Sequence, residues 1–303
     1  MLAVPSLAGG LAAGQALAAP APAPLRIGSR PIQVPYGRQV VVRGTAAVAQ
    51  AGDTVVLEFA PRGGSAWSLL GSSTIGAGGQ FRLLGTPIRS GELRALDTST
   101  GALTPFIARG ASGGTAPTSS PVAVDVSARV RVPTRQFALL AGQAIQIRGR
   151  LLPAVGGRQV SLQARQGGGW QTLAITRTGS AGRFVLRYVT GAAGQERIRI
   201  RFAGDRWNGR STATAGQITV FREAGASWYS DGGTTACGFH AFYGVANRTL
   251  PCGTQVALRY NGRSVTATVD DRGPYVGGRD WDLNQNTAGA LGFGGVATVW
   301  SSQ

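Results

Sequence analysis

The sequence predicts an all-β protein in which two immunoglobulin-like β-sandwiches precede a small β-barrel. Three observations support this prediction: short apolar runs alternate with polar residues, turns are rich in Gly and Pro, and the chain contains an internal repeat. The 303 residues include 47 Gly and 15 Pro, which suits many turns rather than long helices. Hydrophobic residues make up 43% of the chain, which is enough for packed cores and argues against disorder.

The first 24 residues predict an export signal followed by an Ala/Pro linker. Residues 2–19 are small, apolar and uncharged, and Ala16-Leu17-Ala18 supplies the small-x-small pattern of a cleavage site. A disordered Ala/Pro tail is the alternative. Export predicts a secreted or cell-wall location. We expect no transmembrane span in the mature chain, because no later apolar run approaches the ~20 residues of a membrane helix.

The two sandwiches are predicted at residues 25–122 and 123–222 because this part of the chain repeats itself. Residues 38–44 (RQVVVRG) match residues 143–149 (QAIQIRG). Two aromatic positions also recur, with Trp67 matched by Trp170 and Phe81 by Phe184. A period near 100 residues indicates duplicated domains rather than a solenoid. Neither copy contains a Cys or a cluster of catalytic residues, so a spacer or adhesion role is expected.

The charge of the chain is strongly basic and unevenly placed. All 30 basic residues are Arg, against 13 acidic residues, for a net charge of +17. Residues 1–223 hold 25 of the Arg and eight acids, whereas residues 224–303 hold five of each. A basic surface favours an anionic partner, and export makes nucleic acid a poor candidate. We therefore expect the sandwiches to bind anionic wall polymer while the barrel stays neutral.

Residues 224–303 differ in composition and carry the candidate chemistry, including both Cys, the only His and a cluster of Asp. Two apolar runs flank Asn261-Gly262, a type I′ hairpin signal. Residues 284–291 predict a short helix with Asn284 as a possible N-cap, and residues 296–300 predict a closing strand. Cys237 and Cys252 suit one disulfide outside the cytosol. One His and two Cys exclude a classical zinc site, and we expect no cofactor.

Four ordered segments of this region resemble the RlpA (rare lipoprotein A) family. They are residues 226–229 (ASWY), 246–254 (ANRTLPCGT), 271–275 (DRGPY) and 278–283 (GRDWDL). The resemblance implies a six-stranded double-psi β-barrel at residues 224–303 and septal lytic transglycosylase activity on peptidoglycan. Residues 235–238 (TACG) and 280–284 (DWDLN) are also similar to expansins, which share the barrel and loosen cell-wall polysaccharide.

The resemblance also implies which residues act, although some family positions differ here. The family's Glu, Asp and His positions are occupied by Phe239, Phe242 and Asn247. Two carboxylates remain, Asp271 and Asp282, spaced as in membrane-bound lytic transglycosylase A. Asp282 is then the general acid and Asp271 its neighbour. Glycan cleavage needs one protonated carboxyl beside the leaving oxygen, and a transglycosylase needs no water-activating base because the sugar's own 6-hydroxyl attacks.

Several further residues are candidates for the same groove. Asp231 is a possible second carboxylate, as a hydrolase would require, and His240 is a possible acid or base. Aromatic side chains and one Arg are expected to line the groove: Trp228, Tyr229, Tyr243, Tyr275, Trp281 and Arg272. Structural alternatives stay open, with Asp271 fixing a turn and Asp282 capping a helix. The functional alternatives are a non-catalytic, expansin-like wall-binding module and a barrel that serves only as an interaction module.

Overall fold

The computed structural model describes residues 25–47, 50–98, 117–230 and 233–303. Within these ranges the chain forms 21 β-strands and one α-helix, which confirms the all-β prediction. The predicted export signal and Ala/Pro linker, residues 1–24, lie outside the described residues. Across the described ranges, no helix is both long enough and apolar enough to cross a membrane.

The first repeat forms two sheets. Its strands are β1 (Arg26–Ile27), β2 (Ile32–Pro35), β3 (Val40–Thr45), β4 (Thr54–Pro61), β5 (Ser68–Thr74), β6 (Gln80–Gly85), β7 (Gly91–Asp97) and β8 (Val122–Ser127). The smaller sheet has the order β1-β3-β6 and the larger the order β2-β8-β7-β4-β5. Buried and exposed residues alternate along β6 and β7, as expected for strands with one face in a core.

The second repeat also forms two sheets. Its strands are β9 (Arg129–Arg131), β10 (Arg135–Leu140), β11 (Ala144–Leu152), β12 (Gln159–Gln166), β13 (Gly169–Arg177), β14 (Arg183–Val189), β15 (Gly194–Phe202) and β16 (Ser211–Tyr229). One sheet has the order β14-β11-β9, and the other runs β13-β12-β15-β16, with β10 pairing in parallel to β16. Apolar residues of both sheets share one core, including Ile147, Phe184, Leu162 and Ile200.

The strand orders of the two repeats correspond strand for strand, so the repeat seen in the sequence is a repeat of structure. The matched motifs end at Gly44 and Gly149, and each glycine lies under the aromatic ring of a neighbouring strand. A Cβ at Gly44 would lie 2.2 Å from Phe81 Cζ, and one at Gly149 would lie 2.4 Å from Phe184 Cζ. A side chain at either position would therefore displace the ring. The two-sheet arrangement is observed, and its immunoglobulin-like character stays a prediction.

The C-terminal barrel is closed by six strands, as predicted. Besides β16 they are β17 (Gly244–Ala246), β18 (Gln255–Tyr260), β19 (Arg263–Asp271), β20 (Trp281–Asn284) and β21 (Ala297–Ser301). The strand pairing runs β16-β20-β17-β19-β18-β21, and β21 pairs again with β16 to complete the ring. The pairs β16–β20 and β17–β19 are parallel. Small and branched apolar residues fill the interior around the fully buried Trp281.

The local predictions for the barrel are confirmed. Asn261 and Gly262 have φ values of 47° and 80°, as a type I′ turn requires, and they join β18 to β19. Helix α1 (Gln285–Leu291) begins after Asn284, whose side chain accepts a hydrogen bond from the Thr287 N–H at 2.9 Å. The helix ends at Gly292 in the left-handed conformation (φ 62°).

Strand β16 continues from the second repeat into the barrel without a break. Its N-terminal half pairs with β15, and its C-terminal half pairs with β20 and β21. The change of composition at Ala224 thus falls inside a strand of 19 residues rather than in a linker. Residues 125–303 belong to one compact unit. The predicted boundaries between the three domains stay predictions.

Candidate functional site

The two candidate catalytic carboxylates lie in one row across neighbouring strands of the barrel. Asp282 on β20 is opposite Ser227 on one side and Ala246 on the other. Ala246 is in turn opposite Asp271 on β19. The two aspartates are therefore separated by a single strand, which places their Cα atoms about 9–10 Å apart at ordinary strand spacing. Ala246 is the residue between them in this row.

Asp282 is on the outer face of the barrel. Its neighbours in the strand, Trp281 and Leu283, both belong to the barrel core, and side chains alternate between faces along a strand. Ser227 Oγ donates a hydrogen bond to Asp282 Oδ1 at 2.8 Å. Within the described residues Oδ2 has no hydrogen-bond partner. The alternative that Asp282 caps the helix is wrong, because Asn284 occupies the cap and no acidic residue lies in the first turn.

Asp271 and Arg272 contact the protein's own backbone. Asp271 Oδ1 accepts hydrogen bonds from the N–H groups of Ala236 and Arg272, each at 2.8 Å, as expected if it fixes the turn. The Arg272 guanidinium donates to the Asn247 carbonyl oxygen at 3.2 Å and to Cys252 Sγ at 3.0 Å. Arg272 therefore holds two loops together, and its assignment to the substrate stays a prediction.

A loop over residues 233–243 is fastened beside this row by the disulfide and by a buried carboxylate. Cys237 and Cys252 form the predicted disulfide. Asp270, which is 1% exposed, accepts a hydrogen bond from the Ala241 N–H at 2.8 Å. The following strand begins at Gly244, where a Cβ would lie 2.2 Å from Asp270 Oδ2. Glycine at this position thus leaves the space that the carboxylate occupies.

Asn284 also fastens this loop. Its side-chain amide donates to the carbonyl oxygens of Ala241 and Phe242, both at 3.2 Å, while its Oδ1 caps the helix. The sequence indicated the cap and missed the tether. It also gave no role to Ser227, although this residue stands in one of the four family segments. No local signal in the sequence could show the tether or the hydrogen bond of Ser227, because the partners are far apart in the chain. Asn284 and Ala241 are separated by 43 residues, and Ser227 and Asp282 by 55.

The aromatic candidates separate into exposed and buried groups. Trp228, Tyr243 and Tyr275 are exposed, with Tyr275 at 79%, and Tyr229 is half-buried. Trp281 is 0% exposed and packs in the barrel core. The expectation that Trp281 stacks on a sugar ring is therefore wrong, because its ring does not reach the surface. Two exposed aromatics that the sequence noted only as departures, Phe239 and Phe242, lie on the fastened loop.

Of the remaining acid/base positions, the structure describes Asn247 and His240. Asn247 Oδ1 accepts from the N–H groups of Thr249 and Leu250, so this amide shapes a turn and has no proton to transfer. His240 is exposed on the loop, and Asp231 lies outside the described residues. Within the part of the chain that is described, no group of three or more His, Cys, Asp or Glu side chains could hold a metal ion.

Comparison with known proteins agrees with this geometry. The family model described as lytic transglycolase, with a double-psi β-barrel, matches residues 222–299. A probable endolytic peptidoglycan transglycosylase RlpA from Treponema pallidum is 39% identical over 104 residues, which cover 31% of this chain and 32% of that protein. The proteins of the same name from Synechocystis and Aquifex aeolicus are 40% and 45% identical, covering 24% and 22% of this chain and 26% and 34% of theirs.

The chain thus matches about a third or less of the length of these relatives. The family model matches the part of the chain where the six-stranded ring and the aspartate row are found. It agrees with the family segments in the sequence and with the closed strand pairing. Residues 222–299 form an RlpA-like double-psi β-barrel domain.

Proposed function

We propose that the barrel cleaves the glycan strands of peptidoglycan by lytic transglycosylation outside the cytoplasm, with Asp282 as the general acid. The observation that carries this proposal is the row in which Asp282 and Asp271 flank Ala246, with Asp282 on the outer face of the barrel. It is supported by the relatives, which are named as peptidoglycan transglycosylases. In this reading the substrate lies across the row, in contact with the exposed aromatic residues.

The chemistry needs one carboxyl group that gives and then takes a proton. Asp282 Oδ2 donates its proton to the glycosidic oxygen as the bond to the anomeric carbon breaks. The 6-hydroxyl of the same sugar attacks that carbon and forms the 1,6-anhydro ring, and its proton returns to the carboxylate. No water is consumed. Ser227 holds the other carboxylate oxygen in place and so orients the acid.

A second candidate function is non-catalytic binding or loosening of wall polysaccharide, as expansins do. The observation that favours it is the character of the three replaced family positions. Phe239 and Phe242 are exposed aromatic residues, and Asn247 is an amide engaged in a turn. An aromatic surface of this kind suits sugar rings and needs no proton transfer.

Digestion of purified peptidoglycan, both intact and stripped of stem peptides, separates the two functions. We expect mass spectrometry to find 1,6-anhydromuramyl products with the unmodified protein and to find none with the near-isosteric variant Asp282→Asn. Asp280→Asn is the matched control, because Asp280 lies two residues away and pairs with Arg222 instead of joining the row. Its products are expected to be unchanged.

Three results would contradict the proposed cleavage. Retention of the polymer without any product would favour the binding module. Products that persist in Asp282→Asn would remove Asp282 as the acid. New reducing ends in place of anhydro ends, lost in Asp231→Ala, would indicate a hydrolase with a second carboxylate.

A further inference from the structure

Four arginines crowd one outer sheet face of the second repeat. Arg197, Arg199 and Arg201 alternate with core residues along β15, and Arg165 lies on the neighbouring strand β12. Among the described residues, none of the four has a carboxylate within ion-pair distance. The acid in the same strand, Glu196, accepts a hydrogen bond from Gln166 instead. This face therefore carries four positive charges that no acidic side chain neutralises.

Arg199 is held rigidly at the centre of this face. Its guanidinium stacks 4.0 Å from the ring centroid of Trp170, and its Nε donates to Gln163 Oε1 at 2.9 Å. Gln163 is itself held by a hydrogen bond from its amide to Thr172 Oγ1 at 3.2 Å. Burial, together with the charges of Arg201 and Arg165, lowers the pKa of Arg199. A guanidinium nevertheless stays charged at physiological pH, so the repulsion persists.

The first repeat contains the same arrangement with a different charge. Arg94 stacks 4.1 Å from the Trp67 ring centroid, and its Nε donates to Glu58 Oε2 at 2.8 Å. The strand register also corresponds, because Glu58 is opposite Arg94 as Gln163 is opposite Arg199. Both repeats place a β-bulge directly before this position. In the first repeat the carboxylate neutralises the stacked Arg, whereas in the second the neutral amide does not.

The neighbours of the stacked Arg also carry more positive charge in the second repeat than in the first. Two positions further along the strand, the first repeat has Leu96 where the second has Arg201. Two positions before it, Glu92 stands in place of Arg197. Ala60 of the first repeat likewise corresponds to Arg165. The first repeat builds the same stacked pair without these charges, so the stacked pair does not depend on them.

We propose that this arginine face of the second repeat (Arg165, Arg197, Arg199 and Arg201) is a binding site for a polymer other than nucleic acid that carries repeated phosphate or carboxylate groups. This inference goes beyond the proposed glycan cleavage. It gives a location to the binding of anionic wall polymer that is expected of the basic sandwiches. Guanidinium groups bind both oxyanions through paired N–H donors. Because Arg199 covers the Trp170 ring, recognition here is by charge and hydrogen bonding rather than by sugar stacking.

The spacing of the site favours an extended chain over a single small anion. Alternate residues of a strand are about 6.6–6.8 Å apart, so the three arginines of β15 form a line about 13 Å long. Stacking on Trp170 and bonding to Gln163 fix the central guanidinium before binding, which reduces the entropy that binding costs. A linear polyanion laid along β15 would contact all three positions at once.

The test measures binding of the full chain to two immobilised polymers, long-chain polyphosphate and polygalacturonate. We expect salt-sensitive binding to at least one, and the stronger of the two identifies phosphate or carboxylate as the preferred group. The double variant R165A/R201L installs the residues of the first repeat and should weaken binding about tenfold or more. Gln163→Glu, which supplies the carboxylate of the first repeat without removing an Arg, should weaken it severalfold.

The matched control is R43A/R82L, which removes two exposed, mutually opposite arginines of the first repeat and changes the net charge equally. It should bind within about twofold of the unmodified protein if position rather than total charge matters. Equal losses in both double variants would overturn the assignment, as would binding to neither polymer at low salt. Tighter binding to single-stranded poly(dT) than to polyphosphate at equal charge would overturn it in favour of nucleic acid. Asp282→Asn should keep the binding, which separates this proposal from glycan cleavage.

Discussion

Asn284 joins three parts of the barrel, and its replacement is expected to reveal how the site loop is held. The residue is 1% exposed, caps helix α1 through its Oδ1, and donates from its amide nitrogen to the carbonyl oxygens of Ala241 and Phe242. Asn284→Ala removes all three hydrogen bonds. Loss of the cap costs about 1 kcal/mol, and each lost side-chain bond about another 1 kcal/mol. The expected loss of barrel stability is therefore about 3 kcal/mol.

Asn284→Asp separates the contribution of the helix cap from that of the two hydrogen bonds to the loop. The carboxylate keeps the oxygen that accepts from the Thr287 N–H but places a second oxygen against two carbonyl oxygens. The helix start should therefore stay protected while the loop over residues 241–243 loosens. In Asn284→Ala both should loosen.

Hydrogen exchange measured by mass spectrometry on barrel peptides suits this question, because it reports barrel opening separately from the two repeats. Peptides from β18 and β19 give the free energy of barrel unfolding, and peptides over residues 239–243 and 285–291 report the loop and the helix. A change below about 0.5 kcal/mol in Asn284→Ala would refute the argument that these bonds hold the barrel. Identical loop protection in Asn284→Asp and the unmodified protein would refute the tether.

Three further predictions concern the disulfide, a close glycine contact and acid sensitivity. Reduction of the Cys237–Cys252 disulfide, whose cysteines are 15 residues apart, should lower barrel stability by about 3 kcal/mol in urea unfolding. Gly244→Ala forces a Cβ to within 2.2 Å of Asp270 Oδ2 and should cost about 1–3 kcal/mol by the same measurement. Burial raises the pKa of Asp205, but hydrogen bonds from backbone N–H groups and from a guanidinium lower this pKa more, so the net shift is downward. The ionised carboxylate therefore stabilises the folded state. The second repeat should lose stability as the pH falls through the range below the ordinary Asp pKa.

Each of these predictions has a simple control. Gly277→Ala, where no atom lies within 4 Å of the new Cβ, should leave stability unchanged. Equal unfolding midpoints with and without reductant would contradict the disulfide prediction. An Asp205→Asn variant whose acid unfolding follows that of the unmodified protein would contradict the pH prediction, because the amide removes the titrating group.

Much of the fold could be predicted from local patterns. The turn at Asn261-Gly262 and the helix bounded by Asn284 and Gly292 follow from backbone preferences that act over a few residues. The internal repeat and the disulfide were equally visible, one from matched segments and the other because only two Cys exist. The arginine alternation along β15 was visible too, since side chains of a strand alternate between faces.

Other features depend on contacts between distant parts of the chain. Trp281 and Tyr275 are both aromatic residues near the aspartates, yet one fills the core and the other is exposed, and no local pattern separates them. The hydrogen bond from Ser227 to Asp282 exists because β16 and β20 pair in parallel across the barrel. Such contacts depend on the pairing of strands that are far apart in the chain. Local sequence patterns do not show which strands pair.

The amino-acid sequence by itself determined the all-β class, the duplication, the barrel family and the uneven charge, because each depends on composition, short-range backbone preference or recurring segments. Only the tertiary structure decided that β16 continues from the second repeat into the barrel, that Asp282 and Asp271 share one row, and that Gln163 leaves Arg199 unneutralised where Glu58 pairs with Arg94. The physical reason is that register and packing bring together residues that are far apart in the chain. The chemistry of a site depends on those neighbours.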